Sequence, residues 1–163
     1  MSRRYPDRRT WTQRGGRKSY GKNALSASFS VSGIEEFIKK IEAAGKNVDS
    51  ACKKAVDAAI PIVEKSMREG AERHRDTGDV VKAIETVKAK QEGNYIYAAA
   101  GIDLDKHPEA FEAVFQEYGD GHSFGQKDES KKFPDPFIRT AVDNNRKEIN
   151  RIIKSVLKKE GTI

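Results

Sequence analysis

The stretch of this chain whose residue types could best do chemistry is Glu117-Tyr118-Gly119-Asp120-Gly121-His122. Two carboxylates and an imidazole at this spacing can exchange protons with a substrate in general acid–base catalysis. The same residues also fit a turn at the end of an aromatic segment, and this simpler interpretation is favoured. A small hydrolase that uses this stretch is kept as a minor alternative.

The other residues capable of chemistry stand alone. His74 and Asp76 are close enough in sequence to share a metal ion, but a solvated helix end explains them as well. Cys52 falls on an apolar stripe, which favours a buried small side chain over a nucleophile. The sequence contains no Gly-rich phosphate loop, no HExxH and no Ser elbow. We therefore predict a protein that is not an enzyme and has no metal, cofactor or small-molecule substrate.

The positive charge of the chain is concentrated in residues 1–23. This segment holds eight basic side chains and one acidic side chain, whereas the remaining residues hold 23 basic and 24 acidic ones. Because it has no apolar period, we expect it to be disordered alone and ordered only by a partner. The side chains expected to contact that partner are Arg3, Arg4, Arg8, Arg9, Trp11, Arg14, Arg17, Lys18 and Lys22.

Three interpretations of the basic segment stay open. Its arginines could pair with phosphates while Tyr5, Trp11 and Tyr20 stack on bases, which would make the chain a nucleic-acid-binding module. The same composition could dock in an acidic protein groove. An inert solvated segment is the third possibility.

The rest of the chain, residues 24–163, has the length and composition of one domain. Hydrophobic residues make up 36% of the 163 residues and charged residues 34%, so the core is lean and a partner surface would help to cover it. No apolar run approaches the roughly 20 residues that cross a bilayer, so we predict no membrane segment. A single cysteine excludes an internal disulfide.

The elements of this domain follow from its periodicity. Alternation over 25–31 predicts a strand. Ser32 to Glu35 fits a capping box before a long helical stripe that reaches about Gly70, with Gly45 as a weak point and a kink or division expected at Pro61.

A second set of elements follows the turn at Asp76 to Asp79. Weak alternation over 85–90 and a clear strand pattern over 95–102 predict a partner for the first strand. Residues 108–118 have helical spacing, although a strand also fits, and 119–133 lack any period, which predicts a mobile loop. Asp135 as N-cap and Pro136 as first helical residue predict a final helix to about Lys159. The fold class is α+β, a small antiparallel sheet packed by a long N-terminal helix and a C-terminal helix.

Three pieces of the body, taken in order, carry a resemblance. The first is Phe29 to Ile34 before the long helix, and the second is Asp76-Thr77-Gly78 followed by Val81 and Ile84. The third joins Glu117-Tyr118-Gly119 to Pro136-Phe137-Ile138-Arg139-Thr140-Ala141. Together they resemble the tail-component family of tailed bacteriophages, the gene-product-ten-like group related to minor tail protein Z. Asp120 and Thr140 stand where that family usually has Thr and Pro.

The resemblance implies a structural protein of the virion, present in the host cytoplasm during assembly. It implies a fold similar to tail terminators and a homo-oligomeric ring, a hexamer, at the head–tail junction or the head-proximal end of the tail. Adjacent neck and tail-tube proteins are the implied partners, with DNA in the channel as a possible partner of the basic segment. The family-motif residues are Thr77, Gly78, Glu117, Tyr118, Gly119, Pro136, Phe137, Ile138 and Arg139.

Overall fold

The computed structural model describes residues 24–30, 33–93, 95–119 and 134–161. The predicted basic segment and most of the predicted loop at 119–133 lie outside these residues, so the domain organisation stays a prediction. The elements in chain order are β1 (Ala24–Ser30), α1 (Glu35–Ala43), α2 (Val48–Glu72), α3 (Asp79–Lys82), β2 (Ile84–Glu92), β3 (Tyr95–Asp103), a 3₁₀ helix (Pro108–Phe111), α4 (Glu112–Tyr118) and α5 (Arg139–Glu160).

The three strands form one antiparallel sheet in the order β1-β3-β2. The register places Ala24 opposite Asp103 on one side of β3 and Ile84 opposite Ile102 on the other. The predicted pairing of the first strand with the 95–102 strand is therefore confirmed, as is the α+β fold class. Residues 108–118 are helical, which decides between the two interpretations of that stretch.

One face of the sheet packs against the two long helices. Alternate residues of β3 point to this face and join the core with β1 and both helices. They are Ile96, Ala98, Ala100 and Ile102. Alanines at the centre of the sheet leave room for the helices to approach closely. Helices α2 and α5 run antiparallel, since Lys46, just before α2, donates a hydrogen bond of 2.8 Å to the carbonyl oxygen of Glu160 at the end of α5.

The long helical stripe is two helices, and the division differs from the predicted one. The chain breaks at Gly45, whose φ of +67° lies in the left-handed region that glycine tolerates. The side chain of Asn47 then caps α2 by accepting from the Ser50 amide at 2.8 Å. Pro61 does not divide α2. Its ring lies on the exposed side of the helix while neighbouring residues on the other side are buried, so packing holds the helix together.

The capping box at the start of the first helix is wrong. Helix α1 begins at Glu35 with Ile34 in the cap position and no side-chain cap bond, and Ser32 lies outside the described residues. Ile34 is buried in the core, so apolar packing anchors the chain where α1 starts. None of the helices in the described part of the chain is long and apolar enough to cross a membrane.

The outer edge of β2 is interrupted by a bulge. The register with β3 shifts between Val87 and Lys90. The backbone amide of Ala89 donates to a carboxylate oxygen of Asp57 on α2, at 2.6 Å. A bulge and charged side chains are the usual devices that keep an edge strand from pairing with another chain.

The start of β2 is tied to the chain that leaves β3. Glu85 accepts from Lys106 at 3.3 Å and lies 3.0 Å from Nε2 of His107, whose Nδ1 lies 3.1 Å from Glu109. The hydrogen bonds to Glu85 and then to Glu109 raise the pKa of His107. The hydrogen bond from His107 in turn lowers the pKa of Glu85.

This contact predicts a pH-dependent cost of His107→Asn. The folded protein holds the imidazole proton more tightly than the unfolded chain does, so the stabilisation is present below the ordinary pKa of about 6.5 and is lost as pH rises through the raised value. Urea denaturation should therefore give a larger loss of stability at pH 6 than at pH 9. An equal loss at both pH values would show that the imidazolium is not what Glu85 stabilises.

Candidate functional site

The carboxylate of Glu117 is buried at the start of α5. Its side chain lies on α4, and the residue is only 1% exposed. One oxygen, Oε2, accepts from the backbone amides of Phe137 and Ile138, each at 2.9 Å, and Oε1 accepts from the amide of Arg139 at 3.0 Å. These amides are among the donors that a helix N-terminus leaves unsatisfied. A carboxylate from another helix therefore caps α5, where the helix dipole also favours negative charge.

The predicted N-cap, Asp135, has a different role. Helix α5 begins at Arg139, and its cap position, Ile138, makes no side-chain cap bond. Asp135 accepts from Arg73 Nε and Nη2, both at 3.1 Å, and its Oδ2 lies 2.7 Å from His74 Nε2. The hydrogen bond from Arg73, followed by that from His74, lowers the pKa of Asp135. The helix begins a few residues after the predicted start, at Arg139, because the preceding residues Phe137 and Ile138 are buried in the core.

Arg139 and Tyr118 surround the buried carboxylate. The Nε of Arg139 lies 3.6 Å from Glu117 Oε1, and its guanidinium carbon lies 5.7 Å from the centre of the Tyr118 ring. A cation over the face of an aromatic ring is a favourable contact. Burial and then the charge of Glu117 raise the pKa of Tyr118 to about 12, although Arg139 acts in the opposite direction. Tyr118 therefore stays neutral.

A close packing contact fixes the chain beneath this cap. A β-carbon added to Gly70 on α2 would overlap the Cβ of Phe137, closer than two such atoms can approach. Only glycine allows Phe137 to lie directly on the α2 backbone at this point. Phe137 is therefore fixed by two contacts. Its side chain packs on the last turns of α2, and its backbone amide donates to Glu117.

The described residues on either side of segment 120–133 meet at this cluster. The amide of Asp135 donates to the carbonyl oxygen of Gln116 at 2.8 Å, and the Gln116 side-chain amide donates to the His74 carbonyl at 3.4 Å. We name residues 116–119 and 135–139 the segment base. Its contacts hold the chain on both sides of 120–133 to α2 and to each other.

Several predicted motif residues therefore form one structure. Glu117, Tyr118 and Gly119 lie on one side of the segment base and Pro136 to Arg139 on the other, a contact that the residue pattern did not predict. Thr77 and Gly78 lie elsewhere. Gly78, with a φ of +84°, starts α3, and the Thr77 hydroxyl donates to Asp79 at 2.6 Å. The nine predicted partner-binding residues of the basic segment lie outside the described residues.

The segment base does not resemble a reaction centre. Both oxygens of Glu117 accept backbone amides and the side chain is buried, so it cannot reach a substrate as an acid or base. His74 contacts Asp135 through its Nε2. Over the described ranges, no group of His, Cys, Asp and Glu could hold a metal ion. Cys52 is buried, as predicted, and burial raises the pKa of its thiol.

Sequence reasoning missed the role of Glu117 as a cap, and the residue pattern gave no signal of it. Ala113, Gln116 and Glu117 are the buried residues of α4, whereas the aromatic rings of Phe111 and Phe115 are exposed. A charged group is rarely buried without strong donors. The sequence does not reveal which donors these are, because they are backbone amides about twenty residues away.

The cap predicts a large effect of Glu117→Gln. The amide keeps the size of the side chain but replaces one acceptor oxygen with a donor that faces backbone N–H groups. We expect a loss of about 2–4 kcal/mol of folding free energy, measured by urea denaturation. Glu112→Gln on the exposed side of the same helix is the matched control and should change stability by less than about 0.5 kcal/mol. Equal losses in the two variants would contradict the cap.

The packing beneath the cap predicts the effect of Phe137→Ala. Because Phe137 is only 2% exposed, truncation should cost about 3–5 kcal/mol, seen as a lower denaturation midpoint. Phe115→Ala, at a ring that is 41% exposed, should cost far less. A midpoint unchanged by Phe137→Ala would mean that the start of α5 is not anchored in the core.

Searches of the curated proteins and of the solved structures found no match. A family model described as "Bacteriophage HK97-gp10, putative tail-component" matches residues 35–119, more than half of the chain. The match includes α1, α2, the sheet strands β2 and β3, and the Glu117 side of the segment base. The chain therefore belongs to this family of phage tail components, as the resemblance in its sequence implied.

Proposed function

We propose that copies of this structural tail protein form a sixfold ring at the head–tail junction or at the head-proximal end of the tail. Membership of a phage tail-component family makes the chain a virion protein that contacts other tail or neck proteins. The ring, its position and its role as a completion, adaptor or terminator protein are the proposal. The segment base is the observation that carries it.

The segment base supports a role in contact between subunits. A buried carboxylate and three backbone amides fix the exits of segment 120–133 against two long helices. A segment with fixed ends can be presented to a neighbour at low entropic cost, because its two stems are already ordered. Phe124 supplies an apolar side chain within that segment. We propose that this segment is the arm that reaches the neighbouring subunit.

The charge distribution supports a head-to-tail contact. One end of the domain is rich in lysine. At this end α1 meets α2 and α5 terminates, and its lysines are Lys39, Lys40, Lys46, Lys54, Lys158 and Lys159. The opposite end is rich in carboxylates: Asp76, Asp79, Asp103, Asp105, Glu109 and Glu112. A subunit with oppositely charged ends favours a heterologous contact, the kind that closes rings.

Electron microscopy of tails assembled with Phe124→Ser tests the proposal. Particles made with the unchanged chain should carry a ring of several copies at one end of the tail, with sixfold symmetry. Phe124→Ser should reduce incorporation at least about tenfold, because an apolar anchor at an interface is commonly worth more than about 1.4 kcal/mol. The denaturation midpoint should not change.

Ser123→Ala is the matched control in the same segment and should assemble normally. A single asymmetric copy in each particle would contradict the ring. Normal incorporation of Phe124→Ser would contradict the role of the segment as the arm.

A further inference from the structure

The charged side chains of the two long helices are distributed differently. Helix α2 carries four basic and five acidic side chains, and several of them pair one turn apart, as Lys65 does with Glu69 and Arg68 with Glu64. Helix α5 carries seven basic and three acidic side chains. Because residues 24–163 are nearly neutral as a whole, the excess of cations on α5 is a local feature of this helix.

Four of these cations form one line along the solvent face of α5. They are spaced by four, three and four residues, which places them on one side of a helix. The core residues of the helix, which include Ile149 and Ile153, occupy the opposite side. All four cations are exposed, and they span about 16 Å because a helix rises about 1.5 Å per residue. We name them the cationic ridge (Lys147, Arg151, Lys154 and Lys158).

Neighbouring carboxylates do not balance the cationic ridge. Arg151 pairs with Glu148 on the same helix, but Lys147 and Lys154 make no ion pair with any residue that the structure describes. Successive members of the ridge lie three or four residues apart, and like charges at this spacing repel each other and destabilise a helix. The helix therefore carries a repulsion that an anionic partner would relieve.

The surface around the cationic ridge is unlike the centre of a protein–protein interface, which is enriched in aromatic side chains and depleted of lysine. The large hydrophobic side chains exposed in the described ranges are Tyr95, Phe111 and Phe115, and all three lie outside α5. The exposed side chains that flank the ridge are polar and include Asn144 and Asn150. Lysine, arginine and asparagine are side chains that contact the phosphates of nucleic acids. The composition of the ridge therefore favours phosphate oxygens over an acidic protein surface.

We propose that the cationic ridge binds the phosphate backbone of duplex DNA without reading its sequence. The duplex carries one negative charge about every 1.7 Å along its axis, so a straight row of four cations meets several phosphates at once. Lysine acts on a phosphate as a point charge, which suits a contact that depends on charge rather than on base identity. The ridge is separate from the basic segment. The proposal does not depend on the proposed ring, because Lys147 and Lys154 are not among the lysines of the contact between subunits.

Duplex binding by the full chain tests the proposal. Fluorescence anisotropy measures the association constant for a labelled duplex of about 25 base pairs, at salt concentrations between about 50 and 200 mM. The ridge variant carries Lys147→Gln, Arg151→Gln and Lys154→Gln. Its log–log slope of association constant against salt should be shallower than that of the unchanged chain by about 2–3, since each phosphate contact contributes about 0.9. A second duplex of unrelated sequence should bind the unchanged chain equally well.

The matched control removes three exposed cations elsewhere, through Lys65→Gln, Lys82→Gln and Lys88→Gln. It has the same net charge as the ridge variant, and its slope should differ from that of the unchanged chain by less than about 0.5. The urea denaturation midpoint should not fall in the ridge variant, because the substitutions remove like-charge repulsion from an exposed helix face.

Three results would overturn the proposal. Equal slopes in the ridge variant and the control would show that net charge or the basic segment alone holds the duplex. Failure of the unchanged chain to bind the duplex at about 100 μM protein would exclude even the weak affinity of non-specific DNA binding. Weaker binding of the ridge variant to poly-glutamate, with unchanged binding to the duplex, would assign the ridge to an acidic protein surface instead.

Discussion

The described part of the fold depends on one buried charge. Glu117 places a full negative charge where it is only 1% exposed, which would be strongly unfavourable without strong donors. Backbone amides of Phe137, Ile138 and Arg139 supply those donors, so neither side can move without leaving the other unsatisfied. The start of α5, the end of α4 and the exits of segment 120–133 are therefore one unit.

The sequence predicted the elements better than their ends. Periodicity found β1, β3, both long helices and the fold class, because one-sided burial imposes a period of 2 or 3.6 on apolar residues. Helix boundaries were less accurate. Gly45 rather than Pro61 divides the first stripe, since packing of α2 overrides a proline on its exposed side. Apolar contacts place Ile34 at the start of α1, where the sequence offered a serine.

The residues of the segment base could be identified from the sequence, but the contacts that bring them together could not. Glu117 to Gly119 and Pro136 to Arg139 form the third piece of the family resemblance, which gives their order along the chain but no contact between them. Their contact runs from a side chain to backbone amides, and amides carry no residue identity. Asp135 was predicted to cap α5, but it pairs with Arg73 and His74, and Glu117 caps the helix instead. The residue pattern could not predict this difference for the same reason.

The bulge in β2 has a consequence for crowded copies of this chain. Subunits gathered on one scaffold meet one another's strand edges at high local concentration, and an edge that accepts any strand would trap them in disordered aggregates. Asp57 occupies the amide of Ala89 from within the same molecule, and so removes a donor that an incoming strand would need. Lys88 and Lys90 on the same strand add charge that repels another copy of β2. Growth of the sheet from molecule to molecule is thus discouraged on this side, which directs association toward surfaces other than the strands.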